Sequence, residues 1–152
     1  MRALRTLLAI GAVAALAACS SGGSDDEPLE ESPTGAGNPT LDMTGSWTLT
    51  SGSNADGEIA LVADAPVTMD VAEDGTVSGT SACNQYNGDV TIEGTEVSFG
   101  PIASTMMACA DDVMAVETAY QAALGEVNSG ALDGDTLTLT GNDVELVYGP
   151  TS

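Results

Sequence analysis

The sequence has 152 residues, of which 23 are Asp or Glu, only two are Lys or Arg and none is His, so its formal net charge is −21. Because Arg2 and Arg5 are its only cations, the rest of the chain cannot displace the counterions of a phosphate backbone, which excludes nucleic acid as a partner. The length leaves room for one folded domain, and anionic membranes would repel it, so any membrane attachment has to be covalent.

Residues 1–18 have the composition of an export leader. Arg2 and Arg5 precede an apolar run from Leu7 to Leu16, which is too short to span a bilayer. The residues Leu16-Ala17-Ala18-Cys19 resemble the lipobox of bacterial lipoproteins. This resemblance implies a diacylglyceryl thioether on Cys19, cleavage before it, and usually a further acyl group such as palmitate. A conventional signal peptide with an incidental cysteine is the alternative. We expect a lipid-anchored chain that faces outward at a cell membrane.

Residues 19–41 are predicted to be a flexible, acidic tether that begins at the lipid anchor. Residues 20–41 read SSGGSDDEPLEESPTGAGNPTL and contain almost nothing apolar. Such a composition cannot offset the conformational entropy lost on ordering. The acidic residues lack the spacing and the fixed glycine of a calcium-binding EF-hand loop. We therefore expect a solvated charge run and no metal site.

Residues 42–149 are predicted to fold as one domain that is rich in β-strands. Apolar and polar residues alternate with period two, which is typical of strands with one buried face. The buried pairs and triplets are Trp47 with Leu49, Val67 with Met69 and Val71, Val90 with Ile92, Val97 with Phe99, Leu137 with Leu139, and Leu146 with Tyr148. Short turn signals at Asp74-Gly75, Gly88, Glu93-Gly94 and Gly141-Asn142 predict antiparallel hairpins.

One segment, residues 111–127, has helical spacing instead. Its apolar residues recur at intervals of three and four, at Val113, Val116, Tyr120, Leu124 and Val127. Asp111 and Asp112 suit a helix N-terminus, Gly130 is expected just beyond the helix, and Glu117, which has no basic partner, is expected on the solvent side. The predicted fold class is α+β: a mostly antiparallel, strongly curved sheet or partly closed barrel that packs on one helix.

Two cysteines remain in the domain once Cys19 is assigned to the lipid. Cys83 and Cys109 are an even pair in an exported chain, which favours a disulfide. Two separate buried thiols are the alternative. A zinc site is weaker still, because two cysteines without histidine do not complete a ligand set.

The sequence around both cysteines resembles the META domain (HslJ-like) family. Residues 44–49 (TGSWTL) are similar to the opening strand of that family, with a glycine before a core tryptophan. Residues 79–88 (GTSACNQYNG) are similar to its central Gly-x-x-Gly-Cys-Asn-x-Tyr-x-Gly motif, and residues 102–109 (IASTMMAC) to its Thr-x-Met-Ala-Cys segment. Ala82 departs from the motif, where a second glycine is usual, as do Val71 and Val90, where aromatic residues are common.

The resemblance implies a bacterial envelope domain that is associated with stress or drug tolerance and has no established catalytic mechanism. General acid/base and nucleophilic catalysis usually draw on His, Lys, a reactive Cys or a selected pair of carboxylates. His and Lys are absent, and no pair of carboxylates stands out. We therefore expect a non-catalytic protein with no cofactor and no metal, in a binding or structural role.

The predicted binding surface is the loop that begins at Asn84, held beside the second cysteine segment. Its candidate residues are Asn84, Tyr86, Gly88, Thr105 and Met107, because loops on rigid scaffolds often carry function. In the alternative interpretation, Asn84 satisfies backbone groups in a tight turn, Tyr86 belongs to the core, and both Met106 and Met107 pack inside.

A second possible function follows from charge alone. A surface without cations attracts basic partners, so the chain could inhibit or scavenge cationic enzymes or peptides that attack the envelope. A salt-rich habitat would explain the same acidity without any partner.

Overall fold

The computed structural model describes residues 40–152, and the predicted leader, Cys19 and tether up to residue 39 lie outside the described residues. Within residues 40–152 the chain forms ten strands and one helix, in agreement with the predicted α+β class. The strands are β1 Gly45–Asn54, β2 Gly57–Glu58, β3 Thr68–Val71, β4 Thr76–Ser81, β5 Asn84–Glu93, β6 Glu96–Phe99, β7 Ala103–Ser104, β8 Val127–Asp133, β9 Thr136–Gly141 and β10 Val144–Pro150; the helix is α1 Asp111–Glu126.

The sheet closes on itself as an antiparallel barrel. Eight strands follow one another in the order β1-β3-β4-β5-β6-β8-β9-β10, and β10 pairs with β1 to complete the circle. The short strands β2 and β7 add to β1 and β5. Closure pairs the sheet edges that would otherwise be open to other chains.

The interior of the barrel is filled by the residues whose alternation predicted the strands. Leu49, Met69, Leu137, Leu146 and Tyr148 are all buried, and their sequence neighbours point outward or are only half-buried. The single tryptophan, Trp47, is also buried, and its ring Nε1–H donates to the Met43 carbonyl at 2.8 Å. The structure therefore confirms the buried faces that the period-two pattern predicted for these strands, although Ile92 and Phe99 are only half-buried.

Two glycines that sequence patterns assigned to element ends lie inside strands. Gly88 is within β5, which runs unbroken for ten residues. It allows close packing against residues 101–102, because a Cβ there would lie 2.8 Å from Ile102 Cδ1 and 3.0 Å from the Pro101 carbonyl oxygen. Gly130 is within β8, which begins directly after the helix, and a Cβ there would lie 2.6 Å from Leu41 Cδ2. The predicted turn at Gly88 is therefore wrong, whereas Gly130 lies beyond the helix end at Glu126, as expected, but within the strand that follows.

The helix α1 lies across one end of the barrel. It contacts β1 and β10, which are neighbours in the circle, and also β4 and β6 from other parts of the barrel. Its inward face carries Val116, Tyr120 and Leu124, as the helical spacing predicted, together with Ala123, whereas Val113 is only half-buried. Among residues 40–152, the single helix falls short of the length and apolar character that a membrane-crossing helix requires.

The hydroxyls of all three tyrosines form a chain between the helix and the barrel. Tyr148 donates to Tyr120 at 3.2 Å, the Tyr120 and Tyr86 oxygens are 2.9 Å apart, and Tyr86 donates to the Thr68 carbonyl at 2.9 Å. The single hydroxyl hydrogen of Tyr86 is already donated to the Thr68 carbonyl, so in the contact between Tyr86 and Tyr120 it is Tyr120 that donates. Burial, as the largest cause, raises the pKa of each of the three phenols above its usual value. The three side chains therefore stay neutral in the folded domain.

We expect that no tyrosine of this chain ionises while the domain is folded. The folded state holds the phenolic protons more tightly than the unfolded chain does. The contribution of the three tyrosines to the free energy of unfolding is therefore complete below pH about 10 and is lost as the pH rises above it. In an alkaline titration, phenolate absorbance should appear together with the loss of near-ultraviolet circular dichroism. In denaturant, the same tyrosines should titrate at a pKa of about 10. A tyrosine that titrates normally in the folded protein would contradict this.

Candidate functional site

The two cysteines connect the β4–β5 turn to the segment before the helix. Cys83 and Cys109 form a disulfide, with their Cα atoms 6.0 Å apart and a sequence separation of 26. Closing a loop of this length removes entropy from the unfolded chain, which stabilises the fold by about 3.5 kcal/mol in the chain-entropy model. The bond anchors one end of residues 105–110, which we call the methionine loop.

Asn84 holds the same loop by hydrogen bonds. Its Oδ1 accepts from the backbone N–H of Met107 at 2.6 Å and from the hydroxyl of Thr105 at 2.8 Å, and its Nδ2 donates to the Met107 carbonyl at 3.1 Å. Asn84 is only 1% exposed. The side-chain oxygen and nitrogen of this buried amide both have hydrogen-bond partners, and leaving either one unpaired would cost free energy. Asn84 therefore has a structural role.

Glu117, on the helix, completes the network from the other side. Its carboxylate accepts the backbone N–H of Asn84 at 2.8 Å and two contacts from Asn84 Nδ2, at 2.9 and 3.1 Å. Glu117 is 8% exposed, so the expectation that it faces solvent is wrong. The helical spacing already indicated burial, because Glu117 lies four residues after Val113 and three before Tyr120 and therefore shares their face of the helix. The hydrogen-bond partners of this side chain are therefore amide donors rather than a cation.

The structure separates the predicted binding surface into interior and exposed residues. Asn84 and Tyr86 are buried, 1% and 3% exposed, so neither can contact a partner of the folded domain. Gly88 is half-buried in β5 and takes no part in the Asn84 network. Thr105 and Met107 are exposed, although the Thr105 hydroxyl and the backbone of Met107 are bonded to Asn84.

The methionine side chains of the loop face solvent, contrary to the expectation that they pack inside. Met106 is 97% exposed and Met107 is 57% exposed, while the backbone beneath them is fixed by Asn84 and by a hydrogen bond from Thr105 N–H to the Gln85 carbonyl at 3.0 Å. Composition alone could not reveal this, because methionine is common in cores. The result is a rigid loop that presents two large apolar side chains.

The domain around this loop is entirely anionic. Five of the 23 acidic residues lie before residue 40, which leaves 18 in the domain with no Lys, Arg or His. Among residues 40–152, no cluster of three or more His, Cys, Asp or Glu side chains could hold a metal ion. Hydrogen bonds from the backbone N–H groups of Thr44 and Thr76 lower the pKa of the exposed Asp42 and Asp74, so both remain ionised near neutral pH.

The model of the META domain family matches residues 40–151. The chain belongs to the META domain family. Three solved structures share the fold. An NMR structure of a protein from Burkholderia xenovorans is 27% identical, with a TM-score of 0.63, and the match covers 83% of this chain and 99% of that one. No curated protein matches the chain significantly.

The other two solved structures resemble this META domain in fold alone. A second protein, also solved by NMR, is 21% identical with a TM-score of 0.53, over 69% of this chain and 87% of that one. A DUF4847 family protein from Bacteroides vulgatus is 14% identical with a TM-score of 0.53, over 71% of this chain and 93% of that one. At these identities the likeness supports the barrel and helix, and it does not assign a function.

The departure at Ala82 has a structural cost in this META domain. Ala82 lies in the β4–β5 turn with φ 70, a left-handed conformation that favours glycine. A residue with a Cβ in this conformation is destabilised by roughly 1–2 kcal/mol. The turn keeps this conformation because the disulfide and the Asn84 network hold the residues that follow.

We predict that Glu117→Gln destabilises the domain by about 1–3 kcal/mol, because the new amide would turn a donor toward the N–H groups of Asn84. Urea unfolding followed by the fluorescence of Trp47 measures the difference. Glu126→Gln is the matched control, since it makes the same chemical change on an exposed position of the same helix and should stay within about 0.5 kcal/mol of the parent. Equal unfolding midpoints for the two variants would contradict the role of Glu117.

Proposed function

We propose that this protein is a non-catalytic, lipid-anchored envelope protein whose META domain has a binding or structural role in stress or drug tolerance. The observation that carries the binding role is the methionine loop, whose backbone is fixed by a disulfide and by Asn84 while its side chains remain exposed. A fixed backbone lowers the entropy that a surface loses when it binds a partner.

The chemistry of the side chains supports a role without catalysis. Residues 40–152 contain no His, Lys or Arg, both cysteines of the domain are joined in the disulfide, and the three tyrosines are held neutral. Glu117, the one buried carboxylate among these residues, is occupied by the amide groups of Asn84. The remaining acidic side chains of residues 40–152 are exposed to solvent.

The anchoring part of the proposal rests on the sequence before the domain. A leader at residues 1–18, a lipid on Cys19 and a tether over residues 19–41 would place the domain at residues 42–149 outside the cytoplasm, at a cell membrane. Two or more acyl chains would make attachment durable, since each buried methylene contributes ~0.8 kcal/mol. Such an anchor would also overcome repulsion between this acidic chain and an anionic membrane.

Cys19→Ser should move the protein from the membrane fraction to the soluble or secreted fraction of a bacterial host. The parent chain should show, by intact mass, the loss of residues 1–18 and the added mass of acyl groups on Cys19. Ser20→Ala is the control, because it changes a neighbouring residue that carries no lipid. Membrane association that survives Cys19→Ser, or a parent chain of full unprocessed mass, would contradict the anchor.

Capture of cationic agents that attack the envelope is a second candidate function, favoured by one observation. The domain carries 18 carboxylates and no cation, so its field attracts basic proteins and peptides from every direction. Such a field mainly accelerates encounter, and its reach falls from about 30 Å at 0.01 M salt to about 8 Å at 0.15 M.

A basic lysozyme provides a direct test of capture. We expect association at low salt that weakens strongly at physiological salt, measured by surface-immobilised binding at the two ionic strengths. An acidic protein of similar size serves as the control and should not bind. Absence of any association with lysozyme at low salt would eliminate capture and leave the proposal of an anchored META domain in place.

A further inference from the structure

Four of the five methionines of residues 40–152 fall into two groups that differ sharply in exposure. Met43 and Met69 are 0% exposed in the core, whereas Met106 is 97% and Met107 is 57% exposed. Met114, on the helix, is half-buried. Oxidation of a thioether requires contact between the sulfur and the oxidant, so the susceptibility of a methionine follows its exposure.

The other oxidisable side chains of residues 40–152 are shielded. Trp47 is 8% exposed, and the three tyrosines are between 0% and 3% exposed. Cys83 and Cys109 have already lost their thiols to the disulfide. Within the described residues, Met106 and Met107 are thus the two large exposed side chains that a two-electron oxidant can readily attack.

The loop cannot withdraw these side chains into the core. Its backbone is held on one side by Asn84, which bonds both the N–H and the carbonyl of Met107, and on the other by the disulfide at Cys109. These restraints act on the backbone of Met107 and on the side chain of Cys109. The thioethers of Met106 and Met107 take no part in them, so their chemistry can change while the loop stays in place.

We propose that Met106 and Met107 form an oxidation site for small two-electron oxidants, such as hydrogen peroxide or hypochlorous acid. With hydrogen peroxide, each sulfur attacks one peroxide oxygen and the O–O bond breaks, which gives a sulfoxide and water. With hypochlorous acid, the sulfur takes up the chlorine and releases hydroxide, and water then displaces chloride to give the sulfoxide with net release of one proton. One oxygen atom is gained and two electrons are lost by each sulfur. The exposed pair consumes oxidant before it reaches Trp47 or the buried methionines.

The folded domain tolerates this change. A sulfoxide is more polar than a thioether, which is disruptive in a core and harmless on a side chain in water. Oxidation of Met106 and Met107 therefore converts an apolar surface into a polar one without unfolding the barrel. The site has the properties of an oxidant trap that leaves its scaffold intact.

The test exposes the full chain to a limiting series of hydrogen peroxide concentrations and follows each methionine by peptide mapping. Met106 and Met107 should each gain about 16 Da and react at least about tenfold faster than Met43 and Met69, which react only when the domain opens. The fluorescence of Trp47 and the near-ultraviolet circular dichroism should be unchanged after the exposed pair has reacted.

Two variants separate this proposal from general oxidation. In the peptides from residues 40–152, Met106→Leu with Met107→Leu should remove the fast phase of oxygen uptake, whereas Met43→Leu, a matched change in the core, should leave the fast phase unchanged. Equal oxidation rates for exposed and buried methionines would overturn the proposal. So would unfolding of the domain as the exposed pair reacts, or fast uptake that persists in the double variant.

Discussion

The hydrogen bonds of one buried residue, Asn84, determine how the parts of this domain meet. Asn84 begins β5, receives the methionine loop on its Oδ1 and offers its N–H groups to Glu117 of the helix. The barrel, the loop and the helix are therefore joined at one side chain. Separating any of the three parts would leave a buried amide or carboxylate without its hydrogen-bond partner, which costs free energy. The disulfide at the adjacent Cys83 adds a covalent restraint to the same junction.

Much of the fold could be predicted from the sequence because apolar residues recur at every second position in the strands and at every third or fourth position in the helix. The alternation of Leu137 with Leu139 and the three- and four-residue spacing from Val116 to Leu124 place the buried faces correctly. β8 was missed, because Val127–Asp133 has no regular alternation and follows the helix without a break. Closure of the barrel was only partly foreseen, since it depends on pairing between the first and last long strands, β1 and β10, which no local pattern encodes.

The candidate site was less predictable because two of its polar residues, Asn84 and Glu117, are buried and hydrogen-bonded to each other. Charge alone assigned Glu117 to solvent, but the structure supplies amide donors from a residue 33 positions away. Asn84 and Tyr86 were candidate binding residues because they lie in a loop-like motif, but both are buried, as the alternative interpretation of a turn residue and a core tyrosine expected. Met106 and Met107 show the opposite error, since hydrophobic side chains were assigned to packing while the pinned backbone leaves them in water. In each case the deciding contact is distant in sequence.

The pairing of β1 with β10 has a consequence for how the domain can be rearranged. Trp47 lies opposite Pro150, and the N–H of Thr151 donates to the Ser46 carbonyl at 3.0 Å, so the two ends of the domain are neighbours. A short peptide could join them, and new termini could be opened at the exposed hairpin tip near Gly134 between β8 and β9. A circular permutant of this kind would retain every strand pair of the barrel. Any module fused after Ser152 would likewise emerge beside the first strand, on the side of the domain where the chain enters.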